Sequence, residues 1–196
     1  MKRTIKKLGL NINDMVEYKN RVEMLSEISK GGRVVEIGVY AGEYSEHLLE
    51  VIRPAELILI DRFNDEEIEC GDANGNNIQV RQGLELYDSV CKKFAKHPCV
   101  RVFRRNSTFI TNFADDYFDL IYIDGDHSFF GVLDDLIKAF RKIKDGGFIM
   151  CHDYNSEAPG VGVGEAIDRF CADYGQSIEY RGLDKSITVG IKIKKP

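Results

Sequence analysis

Short apolar runs alternate with longer amphipathic segments from residue 33 onward, and that alternation leaves the chain few ways to fold. The runs are RVVEI (33–37), LILID (57–61), CVRVF (99–103), DLIYI (119–123) and GFIMC (147–151). Near-continuous apolarity over five residues suits a strand covered on both faces. Between the runs, residues 43–53 set Tyr44, Leu48 and Val51 on one helical face and stop before Pro54. Residues 129–144 set Leu133, Leu136, Ile137, Phe140 and Ile143 on a stripe, with Asp134, Asp135, Lys138, Arg141 and Lys142 opposite, and end at Gly146–Gly147. The alternation predicts an α/β fold, a mostly parallel sheet with right-handed crossovers and helices on both faces. Two segments at the C-terminus, 177–181 and 187–193, flank a turn at 182–185 and predict an antiparallel hairpin at the sheet edge. Upstream, a helical lead-in is expected over 14–29. Asp14 and Glu17 stand in capping-box spacing there, and Tyr18, Val22 and Leu25 share a face.

Length and charge narrow the function. A chain of 196 residues suits one domain over 1–196. A net charge of −5 argues against a nucleic-acid surface, and the basic cluster Lys2, Arg3, Lys6, Lys7 is a solvated terminus. No apolar run reaches the ~20 residues a bilayer span needs. The basic start is not followed by an apolar stretch of signal length, so a cytoplasmic location without membrane contact is expected. The five cysteines (70, 91, 99, 151, 171) form no C-x-x-C pair and are expected to be reduced thiols. Residues 64–82 are polar and aperiodic, and are either a lid over the ligand edge or a surface insertion. They are no EF-hand loop: counted from Asp72, position six is Asn77 and position twelve is Gly83.

Three constellations sit at strand ends, where open α/β sheets bind ligands. The first is E-x-G-x-x-x-G, with Glu36, Gly38, Tyr40 and Gly42 at a strand-to-helix turn. The dinucleotide spacing G-x-G-x-x-G is absent, and Glu43 near the helix start repels a pyrophosphate. A ligand with a cationic centre and a sugar fits this turn better. The second is Asp61, closing LILID about 20 residues on, where a carboxylate can accept from both ribose hydroxyls. The third is two-part: Asp124-Gly-Asp126-His127 after one strand and His152-Asp153-Tyr154 after the next. Adjacent strands lie ~5 Å apart, so these groups should converge; carboxylates that do so with little basic compensation share a proton, bind a cation or carry a raised pKa, unless Asp126 and Asp153 serve as helix caps.

These stretches resemble class I S-adenosylmethionine-dependent methyltransferases with their Rossmann-like sheet, in the small-molecule O-methyltransferase branch of macrolide-sugar and catechol enzymes. VVEIGVYAGEYSEHLL, LILID, FRRNSTF, FDLIYIDGDHSFFGVLDDL, GGFIMCHDY and GVGEAIDRF carry the likeness. The resemblance implies S-adenosylmethionine as cofactor. Glu36, Gly38, Tyr40 and Gly42 would surround its methionine part, Ser45 would hold its carboxylate, Asp61 its ribose, and Asn106 and Ser107 would lie beside the adenine. Asp124, next to the cofactor, and Asp153 match the positions that bind a divalent ion in metal-dependent members. His152 replaces the third, acidic ligand. That leaves fewer hard oxygens, so manganese, iron or zinc comes into range beside magnesium. Where catechol-type enzymes carry a lysine base, this chain has His127, which titrates near neutrality.

The expected activity is therefore methyl transfer from S-adenosylmethionine to a hydroxyl of a small-molecule acceptor, with His127 as base and Asp124 beside it, metal-assisted through Asp124, His152 and Asp153. Two alternatives stand beside it. One is a non-heme iron hydroxylase on the same fold, with Asp124, His127 and His152 as facial triad; the other is a non-catalytic cofactor-binding module. Self-association into a homo-oligomer is compatible with the sequence. His47 and His97 are expected to face solvent.

Overall fold

The computed structural model describes residues 15–64, 70–71, 77–78 and 83–196. Its strands are β1 (Val16–Tyr18), β2 (Arg33–Ile37), β3 (Glu56–Asp61), β4 (Cys70–Gly71), β5 (Asn77–Ile78), β6 (Val100–Arg104), β7 (Phe118–Ile123), β8 (Ile143–Cys151), β9 (Tyr180–Gly182) and β10 (Thr188–Lys192). The helices are α1 (Glu43–His47), widening into a π-helical turn over Leu48–Ile52, then α2 (Gly83–Phe94), α3 (Phe129–Lys142) and α4 (Val163–Tyr174). Eight strands form one sheet in the order β1-β9-β10-β8-β7-β2-β3-β6. The block β8-β7-β2-β3-β6 is parallel throughout.

Both faces of that block are apolar, which is why its strands read as unbroken apolar runs. Val35, Ile37, Ile58, Ile60, Ile121 and Ile123 point to one side, against Val132, Leu136 and Ala139 of α3 and Ile167 and Phe170 of α4. Their neighbours Val34, Leu57, Leu59, Leu120 and Tyr122 point to the other, against Tyr44, Leu48, Val90, Phe94, Met24 and Leu25. Every parallel strand thus ends with its C-terminal residue at one edge, and the candidate groups follow there.

Three expectations need correction. The C-terminal hairpin forms, but its antiparallel member β10 lies inside the sheet between β8 and β9. The edge beyond β9 is β1, which runs parallel to it in the register Val16↔Tyr180. The helical lead-in is therefore a strand, followed by a short 3₁₀ turn over Glu23–Glu27 that buries Met24 and Leu25. Long-range pairing with β9 overrides local propensity there. Asp14 of the expected capping pair lies outside the described residues; six residues further on, Glu23 N donates to Asn20 Oδ1 at 2.9 Å, and Lys19 N to Glu23 Oε2 at 3.0 Å. The third concerns α3, whose inward face carries Val132, Asp135, Leu136 and Ala139, leaving Ile137 exposed. Burial turns the Asp135 carboxyl upward to about 6, with the Ser107 hydroxyl pulling against it.

The segment 64–82, a lid or a surface insertion by its sequence, lies outside the described residues, apart from Asn64 and the backbone pairing of β4 with β5. Among the described residues, Cys91, Cys99, Cys151 and Cys171 are free thiols. No helix among those residues is long and apolar enough to cross a membrane.

Candidate active site

The turn after β2 is built for close approach. Gly38 sits at φ +87°, and a Cβ there would stand 2.0 Å from the Asp124 carbonyl oxygen, so the β2 and β7 loops touch backbone to backbone. Gly42 adopts φ +72° at the start of α1. Tyr40, also left-handed at φ +49°, leaves its ring 63% exposed above the turn. Asp61 holds this turn in shape: its Oδ2 accepts from Val39 N at 2.7 Å and Tyr40 N at 2.9 Å, and its Oδ1 from Phe63 N at 2.7 Å. A carboxylate offers about four acceptor sites, so roughly one is left for a sugar hydroxyl.

Glu36 lies beneath the turn, only 1% exposed. Burial pushes its carboxyl up to about 8 against the Ser45 hydrogen bond, which pulls the other way, while Asp124 adds to the rise. It is therefore a mostly protonated acid at neutral pH. The Ser45 hydroxyl is fully buried and donates to Glu36 Oε2. A contact of Ser45 with the cofactor carboxylate would have to compete with this bond, since the side chain is fully buried on Glu36. Asn106 is exposed at the start of a 3₁₀ turn after β6, and Ser107 faces Asp135 of α3.

A different group forms after β7 and β8. His127 Nε2 stands 3.4 Å from Asp124 Oδ1 and 3.2 Å from Asp153 Oδ2. Ligand atoms of these three residues all lie within 4.8 Å of one another. Asp153 reaches inward from a left-handed backbone at φ +58°, which Asp tolerates better than most residues. The hydrogen bond to Asp124 raises the His127 pKa above its ordinary value; burial opposes this, and Asp153 and Asp126 add to the rise. Asp126 takes the helix-start role: it accepts from Ser128 N at 2.8 Å, which holds its carboxyl below the usual range. Ser128 is the N-cap of α3, accepting from Gly131 N at 3.1 Å.

His152 does not join. Its Nδ1 lies 2.9 Å from Thr188 Oγ1 on β10, and its Nε2 is 3.8 Å from Asp153 Oδ1. The groups that come together are thus Asp124, His127 and Asp153, and not Asp124, His152 and Asp153. Two histidines and one carboxylate do not converge, which removes the facial triad on which the hydroxylase alternative rested. The cause is topological: inserting β10 beside β8 places a buried threonine next to His152.

Two contributors escaped the sequence. Tyr122 is fully buried, and its hydroxyl lies 3.5 Å from Asp124 Oδ2. It could have been found, since residues two apart in a strand share a face. Arg21 could not. Its Nη1 donates to the Tyr122 hydroxyl at 2.9 Å and lies 3.5 Å from Asp124 Oδ2, and nothing near residue 21 signals that placement. His47 and His97 are exposed, as expected.

A family model described as a methyltransferase domain matches residues 35–154, well over half of the chain, including Glu36, Asp61, Asp124, Asp126, His127, His152 and Asp153. The chain belongs to this methyltransferase-domain family. No curated protein matches it. Among solved structures it is similar to an O-methyltransferase family protein from Burkholderia thailandensis, at 12% identity and TM-score 0.62, covering 89% of this chain and 55% of that one. It is also similar to the N-methyltransferase NodS from Bradyrhizobium japonicum WM9, at 14% identity and TM-score 0.59, covering 87% and 90%. A third is Aeropyrum pernix fibrillarin, crystallised with natively bound S-adenosyl-L-methionine, at 12% identity and TM-score 0.57, covering 83% and 67%. These likenesses are of fold.

Proposed function

We propose that this chain transfers the methyl group of S-adenosylmethionine to a hydroxyl of a small-molecule acceptor. The observation that carries the reading is the convergence of Asp124, His127 and Asp153 on the loop that touches the Gly38 turn. The turn and Asp61 form a cradle for the cofactor, and the three ionisable groups lie where an acceptor would meet its methyl group. The acceptor oxygen attacks the methyl carbon, the carbon–sulfur bond breaks, and its electron pair stays on sulfur. The protein's task is alignment and removal of the hydroxyl proton. His127 suits that task. With Nε2–H directed at the two carboxylates, Nδ1 is the ring nitrogen that takes the proton, and Asp124 and Asp153 stabilise the imidazolium that results. A purely binding module has no use for this arrangement.

The same three groups also fit a divalent ion, because one nitrogen and two carboxylate oxygens can close on a common centre. An ion held by Asp124, His127 and Asp153 would lower the pKa of the acceptor hydroxyl in place of the imidazole base. The test is incubation with methyl-labelled S-adenosylmethionine and a metabolite extract, with and without EDTA, followed by mass spectrometry of labelled products. Labelled methyl ethers formed equally in chelator support the imidazole base, and loss of product in chelator supports the ion. Label on nitrogen, or on nucleic acid added in parallel, would replace the acceptor class.

A further inference from the structure

Arg21 stands outside the family-matched segment, yet its guanidinium reaches the centre of the site. Four contacts put it there. The Arg21 main-chain N–H donates to Asp184 Oδ2 at 2.6 Å, tying the segment after β1 to the turn between β9 and β10. The guanidinium carbon lies 4.7 Å from the centre of the Tyr44 ring, over its face. Nη1 donates to the Tyr122 hydroxyl at 2.9 Å, and the same nitrogen stands 3.5 Å from Asp124 Oδ2. The side chain is 28% exposed, so water screens this charge only partly.

The two oxygens of Asp124 consequently have different work. Oδ2 faces Arg21 and the Tyr122 hydroxyl, whereas Oδ1 faces His127 Nε2. A carboxylate turns readily about its terminal torsion, which has no sharp staggered wells. Contacts with one oxygen fix the direction of the other. Mutual repulsion with Asp153, whose Oδ2 is also within 3.2 Å of His127 Nε2, would otherwise favour turning Asp124 away.

We infer that Arg21 is a positioning residue: with Tyr122 it fixes the Asp124 carboxylate so that Oδ1 holds the His127 ring in its working orientation. The segment around Arg21, pinned by Asp184, thereby completes a site whose other members come from the ends of β7 and β8. The inference rests on the methyl-transfer reading only for its kinetic arm; its structural arm stands without that reading.

The kinetic arm measures single-turnover methyl transfer from labelled S-adenosylmethionine into the metabolite extract for Arg21→Met, Arg21→Lys, Asp124→Asn and the double variant Arg21→Met/Asp124→Asn. Methionine keeps most of the stem that packs on Tyr44. The expected result is a turnover about 10–100-fold lower in Arg21→Met, the scale of misplacing a catalytic group by ~1 Å. S-adenosylhomocysteine affinity should stay within a few-fold of wild type, and Arg21→Lys should recover part of the rate. In the Asp124→Asn background Arg21→Met should cost little more, because coupled sites are not additive. Full turnover in Arg21→Met, or equal losses in both backgrounds, would overturn the inference. The structural arm compares crystal structures of wild type and Arg21→Met, and of Tyr122→Phe should the arginine variants not fold. Loss of the Asp124 Oδ1–His127 Nε2 contact is expected, and an unmoved Asp124 carboxylate overturns the inference even if the wild type binds no sulfur ligand at all.

Discussion

The two halves of the ligand edge are stabilised in opposite ways. After β2 and β3, the polar groups are already satisfied. Asp61 accepts three backbone N–H groups, Glu36 is buried on Ser45, and Gly38 fits against the Asp124 carbonyl without a Cβ. After β7 and β8, the side chains satisfy one another: His127 shares Nε2 between Asp124 and Asp153, and Arg21 answers Asp124 from the far end of the chain. The first half is a shape fixed by backbone hydrogen bonds, suited to hold a ligand in one pose. The second is a balance of three or four charges in contact, which shifts when a proton moves. A protein that binds a cofactor and deprotonates an acceptor needs both kinds of construction side by side.

The largest expected effect breaks the second half alone. His127→Ala should lower turnover by about 10²–10⁴-fold while leaving S-adenosylhomocysteine affinity nearly unchanged, as steady-state kinetics and calorimetry would show. An imidazole acting as base must be neutral, and the carboxylate neighbours of His127 raise its pKa; with His127 in the proposed role, the wild-type rate in chelator should rise with pH through a midpoint above the ordinary histidine value of about 6.5. A midpoint below it without chelator, restored upward by EDTA, would point to a bound cation.

Next comes a break in the seam between the halves. Gly38→Ala forces a left-handed backbone on a residue with a Cβ and drives that Cβ into the Asp124 carbonyl. It should cost about 2–5 kcal/mol of stability in urea denaturation and weaken cofactor binding as well. A variant as stable as wild type would mean that the two loops are not held in contact.

A smaller effect sharpens the contrast within the first half. The Glu36 carboxyl is ordinary when unfolded but holds its proton up to about 8 when folded. Between pH 6 and 8 the unfolded state has already released that proton, so Glu36 makes the folded state lose stability as pH rises, by about 2 kcal/mol across the window. Glu36→Gln, which can still accept from Ser45, should remove that loss. The wild type and the variant should therefore diverge toward pH 8 in parallel denaturation curves.

The central parallel strands were legible because covering both faces makes them apolar throughout, and the acidic groups at their ends were legible because a strand of known direction places its last residue at a known edge. Asp61, Asp124, His127 and Asp153 follow from that logic alone. Its limit appears at β1 and β10. Val16–Tyr18 becomes a strand only through pairing with β9, over 160 residues away, so the helical spacing of Tyr18, Val22 and Leu25 does not reveal it, nor the placement of Arg21 that follows from it. His152 was misplaced for the same reason: the strand that engages it, β10, reaches β8 by a non-local insertion. Side chains whose partners lie at the ends of adjacent parallel strands can be read from spacing, and those whose partners arrive from β10 or the segment after β1 cannot.

The central claim is that the turn of Gly38 and Asp61 holds the cofactor while the group around His127 performs the chemistry. Calorimetric titration of S-adenosylhomocysteine into wild type, Asp61→Ala and His127→Ala tests that division most directly. The account predicts saturable binding to wild type, the same affinity for His127→Ala, and a loss of roughly 1–3 kcal/mol for Asp61→Ala, the scale of removing hydrogen bonds to a charged acceptor. No binding to wild type, or a loss of affinity in His127→Ala as large as in Asp61→Ala, would contradict it.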